Sequence, residues 1–181
     1  MSDARQMAEG YGRAYFLLTE ECGSTESARD DVLTLSEVLK RDPDYTRLLD
    51  TPALSKEERI GLIDSALAGL DPYLVNLVKL LSERRAAYLL PKVLSAFLAE
   101  YDRSRGIERV DAITAVPMTD GQIAALTARL TALTGKTVII RNTTDPTILG
   151  GVKLRYMGVQ LDGSLKSRLT ALEKSLRSAI V

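Results

Sequence analysis

The sequence has no histidine and a single cysteine, and each scarcity removes a class of chemistry. Without histidine there is no Ser-His or Cys-His nucleophilic pair and no imidazole metal ligand. Cys22 can form no internal disulfide and has no second thiolate with which to hold zinc. It is expected to be a partly buried small side chain. No apolar run approaches the roughly 18 residues that a membrane-spanning helix needs. The opening residues "MSDARQMAEG" lack the hydrophobic core of a signal peptide. The expectation is a water-soluble intracellular chain without direct membrane insertion.

What is present is ordinary in amount and uneven in placement. With 181 residues, 45 % of them hydrophobic and 27 % charged, the chain suits one ordinary globular domain or two small ones. Acidic and basic residues balance at 24 each. Residues 1–105 nevertheless hold 14 Lys+Arg against 18 Asp+Glu, a net of −4, and residues 106–181 hold 10 against 6, a net of +4. Such a split predicts two units with different surfaces. It is too mild for a nucleic-acid footprint, which needs a concentrated basic stripe.

The first hundred residues read as successive helices. Met7, Tyr11, Ala14, Tyr15 and Leu18 recur at helical spacing along one face. Gly23-Ser24 breaks the chain, and Val32, Leu35, Val38 and Leu39 mark a second helix ending near Arg41. Pro43 suits the first turn of a short third helix. Ser55 and Glu58 form a capping box ahead of Ile60, Ile63 and Leu67. Asp71-Pro72 starts a fifth helix, with Asp as cap and Pro at the first position. Leu90-Pro91 starts a sixth, whose stripe is Leu94, Phe97, Leu98 and Tyr101. The fifth helix, "YLVNLVKLL", sets Leu74, Leu77, Val78 and Leu81 on one face while Val75 and Leu80 add apolar surface elsewhere. A helix apolar nearly all round is either central to its bundle or partly reserved for a partner.

The texture changes at Gly106, placed where a helix-ending glycine belongs. "VDAITAV" from Val110 reads as a strand buried on both faces. Thr119 and Gln122 form a second capping box before the amphipathic stripe Ile123, Leu126, Leu130 and Leu133. "TVIIR" is a short β-branched strand, and "GGVKLRYMGVQLDGS" a hairpin turning at Met157-Gly158. Leu165, Leu169, Leu172, Leu176 and Ile180 close the chain as a helix. The expected fold class is α+β: a six-helix bundle over residues 1–105, then a small α/β domain over 106–181 with a short sheet and two helices.

Gly135-Lys136-Thr137 resembles the end of a Walker A loop, but a Walker A needs glycine where Leu130 stands. It also follows a strand and opens a helix, the reverse of the order here. Gly135 is better read as a helix C-terminal cap, with Lys136 near the negative end of the dipole. Gly150-Gly151 lacks the GxGxxG spacing and leads into a strand, consistent with a bulge or a close backbone approach. No carboxylate is marked out by an apolar surround. No catalytic residue, cofactor-binding residue or metal ligand is therefore expected.

The segment "TDPTILGGVKLRYMGVQLDGSLKSRLTAL" resembles the signature region of the delta subunit family of F-type ATP synthase, relatives of the mitochondrial oligomycin sensitivity conferral protein. The matching elements are Asp145-Pro146, Gly150-Gly151 with Val152, and Asp162-Gly163-Ser164 followed by Arg168-Leu169. Upstream, "NLVKLLSERRAAYLLP", "GYGRAYF" and "ITAVPMTDGQ" are similar to family patterns, so the likeness runs along the whole chain. At the hairpin tip the family often has Gly-Asp, where this chain has Met157-Gly158.

The resemblance implies a non-catalytic stator subunit without a cofactor. Its helical domain would receive the N-terminal helix of an alpha subunit in a socket on the first and fifth helices. By motif position the socket residues are Tyr11, Ala14, Tyr15 and Leu80, while Gly150, Gly151, Asp162, Ser164 and Arg168 are structural. The C-terminal domain would meet the C-terminal region of the b subunit. The implied setting is one copy per complex, peripheral on the cytoplasmic face of the bacterial plasma membrane. A different reading, a helical adapter binding RNA through the basic C-terminal half, predicts salt-dependent RNA binding.

Overall fold

The computed structural model describes residues 2–148, 150–156 and 159–162. The chain divides into two compact units, residues 1–104 and 105–181, and the architecture is α+β. The first unit carries α1 (Ser2–Glu21), α2 (Thr25–Arg41), α3 (Asp44–Asp50), α4 (Lys56–Ala66) and α5 (Pro72–Glu83). A 3₁₀ turn, Ala87–Leu89, then leads into α6 (Leu90–Ser104).

The apolar face that periodicity picks out on α1 is not the face that packs. Ala8, Gly12, Tyr15, Phe16 and Thr19 are buried, whereas Met7 is 48 % exposed and Ala14 also faces outward. The physical reason is backbone proximity. A Cβ on Gly12 would lie 2.5 Å from the Ala96 Cβ and 2.6 Å from the Val93 carbonyl oxygen, so α6 rests directly on the α1 backbone. The Phe97 ring fills the space beside this contact, 4.9 Å from the Tyr15 ring centroid and 6.0 Å from that of Phe16. Around it Val32, Leu35, Leu74, Val78, Leu81, Val93 and Leu94 form the buried core.

Helix ends follow the sequence signals. Ser55 accepts a hydrogen bond from the Glu58 N–H while Glu58 accepts from the Ser55 N–H, closing the capping box that starts α4. The backbone and side-chain hydrogen bonds from Ser55 hold the Glu58 carboxyl below the usual carboxylate range. A carboxyl depressed in this way adds stability above its unfolded pKa, and that stability is lost as pH falls through the folded value. Removing the hydroxyl in Ser55→Ala is expected to move Glu58 part of the way back up, because the backbone N–H, the larger cause, remains; carboxyl-detected NMR titration measures the change. An unchanged Glu58 titration would contradict the assigned cause.

Within α4 the expected core set changes. Ile63 and Leu67 are buried, but Ile60 is only half-buried and Arg59 is buried in its place. Arg59 reaches across to donate to the Ser82 carbonyl at 3.3 Å, an acceptor that no periodicity could have revealed.

One carboxylate fastens the 3₁₀ turn. Asp50, at the end of α3, accepts from the N–H groups of Ala87 and Tyr88 at 3.0 and 2.9 Å, 37 and 38 residues away. The Asp50 carbonyl also accepts from Arg85, whose φ of +54° bends the chain out of α5. Asp50→Ala leaves two N–H groups unpartnered, and hydrogen bonds to charged acceptors contribute about 1.5–3 kcal/mol. The expected loss of unfolding free energy is about 2 kcal/mol, checked by urea denaturation, with Asp50→Asn recovering part of it.

The second unit holds β1 (Ile107–Thr114), α7 (Asp120–Thr134), β2 (Thr137–Thr144), β3 (Val152–Tyr156) and β4 (Val159–Asp162). The strand order is β2-β1-β3-β4, with β1 and β2 parallel and the other pairs antiparallel. The parallel pair needs a crossover, and α7 supplies it. Strand β1 begins three residues before Val110, and burial alternates along it: Val110, Ala112 and Thr114 are buried while Asp111 and Ile113 are half-buried. The expectation of two buried faces is thus met on one face, and Val116, beyond the strand, is 69 % exposed. On α7, Ile123, Leu126 and Leu130 are half-buried but Leu133 is 76 % exposed.

Gly135 caps α7 in the left-handed conformation, φ +69°, and its N–H donates to the Thr131 carbonyl. Strand β2 begins two residues later. Lys136 meets Glu108, a carboxylate buried on β1, at 2.5 Å. The Gly-Lys-Thr triplet is a helix cap, a buried-carboxylate partner and a strand start. The Met157-Gly158 tip and the closing helix expected from Leu165 lie outside the described residues.

Candidate partner-binding site

The four residues expected to form a socket fall on α1 and α5, and helical geometry decides which way each faces. Successive residues advance about 100° round a helix. Taking Gly12 as the centre of the packed face of α1, Tyr11 and Leu18 lie on one flank and Glu9 and Arg13 on the other. On α5, Leu77, Tyr73 and Leu80 share one flank and Val75 and Lys79 the opposite one. Lys79 pairs with Asp64 of α4, so the second flank faces α4. The first flank faces α1: the Tyr15 hydroxyl donates to Asp71 at 3.1 Å, at the start of α5. Cys22, just past the end of α1, is the main influence that holds the Tyr73 hydroxyl of α5 above its usual value.

The start of α5 is therefore fixed from three directions. Asp71 caps the helix by accepting from the Tyr73 N–H at 2.7 Å, and its own N–H donates to Asp31 of α2 at 2.8 Å. Its second oxygen takes the Tyr15 hydroxyl. Burial, then the Asp71 charge, pushes that hydroxyl's pKa up. Tyr15 is 4 % exposed, so it is a core residue that positions α5 and offers no surface to a partner. This removes Tyr15 from the expected socket residues: its ring is turned inward against Phe97.

The other three are accessible. Leu80 is 37 % exposed, Tyr11 is half-buried and Ala14 is exposed. Sequence reasoning left out Tyr73, 44 % exposed, which stands seven residues before Leu80 on the same flank. Its spacing was the available signal. The surplus apolar residues of α5 divide: Leu80 looks outward toward the α1 side, and Val75 is half-buried on the α4 side. Cys22 is exposed, not partly buried. Tyr11 and Leu18 of α1 and Tyr73 and Leu80 of α5 thus lie on flanks that face one another, with Ala14 exposed further round α1.

In the second unit Gly150 and Gly151 precede β3 with φ of +150° and +86°, and a side chain at Gly151 would be strained. Asp162 ends β4 opposite Lys153 in the ladder. Ser164 and Arg168 lie outside the described residues. Among the described residues no group of three His, Cys, Asp or Glu could hold a metal ion. None of the described helices is long and apolar enough to cross a membrane.

Known proteins similar to this chain agree with one another. It is 33 % identical over 173 residues to the ATP synthase subunit delta of Azorhizobium caulinodans, covering 94 % of this chain and 93 % of that one. It is 31 % identical to the ATP synthase subunit delta of Leuconostoc citreum, covering 97 % and 98 %. Its fold is similar to that of a chain in the cryo-EM structure of the Toxoplasma gondii mitochondrial ATP synthase hexamer. There the TM-score is 0.74 at 21 % identity, over 93 % of this chain and 96 % of that chain. The family profile described as ATP synthase delta (OSCP) subunit matches residues 7–176. A match spanning nearly the whole chain, on a fold of the same architecture, makes this protein a member of the ATP synthase delta (OSCP) subunit family.

Proposed function

We propose that this chain is the static link of an F-type ATP synthase, joining the alpha subunits of the catalytic head to the membrane-anchored b subunits so that the head resists rotation. Membership of the family makes it a non-catalytic structural subunit of the peripheral stalk. Residues 1–105 would bind the head and residues 106–181 the stalk. The observation that carries the head-binding role is the set of apolar side chains left accessible on the facing flanks of α1 and α5: Leu80 and Tyr73 are exposed and Tyr11 is half-buried. Apolar anchors at helical spacing suit an incoming amphipathic helix laid into a groove, here the N-terminal helix of an alpha subunit.

The mechanism is mechanical. A rotating shaft drives synthesis only while the head is held still, so this subunit contributes binding free energy that persists under torque. Two binding units on one chain raise the effective concentration of the second contact once the first has formed. The net +4 of residues 106–181 suits an acidic segment of the b subunit. The chain would sit once per complex, peripherally, on the cytoplasmic face of the bacterial plasma membrane.

Co-purification tests the reading directly. A tagged chain is expected to recover alpha and b subunits together, and Leu80→Asp to lose alpha while keeping b. Recovery of neither subunit by the wild-type chain would refute the proposal.

A further inference from the structure

The other flank of α1 borders a groove that the head-binding reading does not use. It runs between α1 and α6 with a volume of about 810 Å³, and Ala8, Ala96 and Ala99 lie in its floor. Gly10 also lines it, and a Cβ there would meet nothing within 4 Å. Gly12, two residues away and about 200° round the helix, is required by the approach of α6; Gly10 has no such requirement from its own chain. A glycine inside a helix costs roughly 0.5–1 kcal/mol relative to alanine, and here it leaves the outer edge of the groove without a side chain.

The rim of the groove is cationic on an otherwise acidic unit. Arg5 is paired with Glu9 at 2.8 Å and Arg103 with Glu100 at 2.8 Å, so those charges cancel locally. Arg13 and Lys92 make no ion pair among the described residues, and both are exposed. The rim therefore keeps two positive charges while residues 1–105 as a whole carry −4. Rim carboxylates at Glu9 and Glu100 disfavour a phosphate backbone, and the methyl-lined floor favours a helix with small side chains. Over residues 5–13 the α1 wall extends for about 12 Å, a little over two helical turns.

We propose that the α1/α6 groove docks an acidic amphipathic helix of a partner protein, separate from the α1/α5 face. Small residues of the occupant would lie on Ala96 and Ala99, and its carboxylates would reach Arg13 and Lys92.

The test uses the full chain and two fluorescein-labelled helical peptides of about 18 residues, long enough to form helix alone. Both have an alanine face; one is flanked by Glu, the other by Lys at the same positions. The Glu peptide is expected to bind more tightly, with amide shifts at Ala8–Arg13 and Ser95–Ala99 in NMR spectra. Exposed charge pairs each contribute up to a few-fold, so Arg13→Glu with Lys92→Glu should weaken the Glu peptide about tenfold. Lys92→Gln alone should give a smaller loss, and Leu80→Asp should give none. Equal binding of the two peptides, shifts confined to Tyr73–Leu80, or unchanged binding by the double variant would each overturn the proposal. So would sedimentation showing a dimer of the chain that the Glu peptide does not dissociate, since the groove would then belong to a second copy.

Discussion

Leu80→Asp is expected to weaken binding of a synthetic alpha-subunit N-terminal peptide by about a hundredfold or more. Leu80 lies on the flank of α5 that faces α1, and it is 37 % exposed in the free chain. An aspartate there stays hydrated until a partner helix covers it. Docking would then strip water from that carboxylate. An uncompensated buried charge costs about 3 kcal/mol or more, and each 1.4 kcal/mol is a factor of ten in affinity. Because the side chain is outside the core, thermal unfolding of the free variant should stay within a few degrees of wild type. Leu80→Ala, which removes contacts without adding charge, should lose much less affinity. Fluorescence anisotropy titrations of the three proteins provide the comparison. Wild-type affinity in Leu80→Asp would remove this face from the binding site.

Gly12→Ala should destabilise the helical unit although alanine is the better helix former. The added methyl would lie 2.5 Å from the Ala96 Cβ, 2.6 Å from the Val93 carbonyl oxygen and 2.8 Å from the Phe97 nitrogen. Two of those three atoms are backbone, so no rotamer change relieves the clash, and α6 must move away from α1. That movement loosens the contact of Phe97 with Tyr15 and Phe16. Overpacking of this kind costs about 1–3 kcal/mol, and the close backbone contact argues for the upper end. Gly10→Ala is the matched control: it adds the same methyl to the same helix where nothing lies within 4 Å. Its expected effect has the opposite sign, a gain of about 0.5–1 kcal/mol from helix propensity. Urea unfolding followed by far-UV circular dichroism measures both. A Gly12→Ala variant as stable as wild type would mean that α6 yields more easily than its backbone contact suggests.

Much of the chain was legible because its signals are local. A capping box satisfies backbone groups three residues apart, so Ser55-Glu58 and Thr119-Gln122 announced helix starts that the structure contains. A left-handed glycine after a helix is equally local, which is why Gly135 separated a cap from a phosphate loop. The same holds for the order of strands and helix from Ile107 to Thr144, where β-branched runs alternate with a helical period. The full-length likeness to the delta family was also readable from motifs quoted in order.

Choices between faces were not legible, because they depend on which element arrives from a distance. Sequence periodicity grouped Met7, Tyr11, Ala14, Tyr15 and Leu18, and by itself it could not say whether that stripe or its neighbour would be buried. The approach of α6 to Gly12 decided it: Tyr15 went into the core, and Met7 and Ala14 were left outside. Likewise only the pairing of Lys79 with Asp64 separated the α4 flank of α5 from the flank that carries Leu80. The sequence determined the elements, their order and the family, since caps, turns and periodicity act within a few residues. Tertiary contact between residues some 80 positions apart decided which apolar surface was left over for a partner.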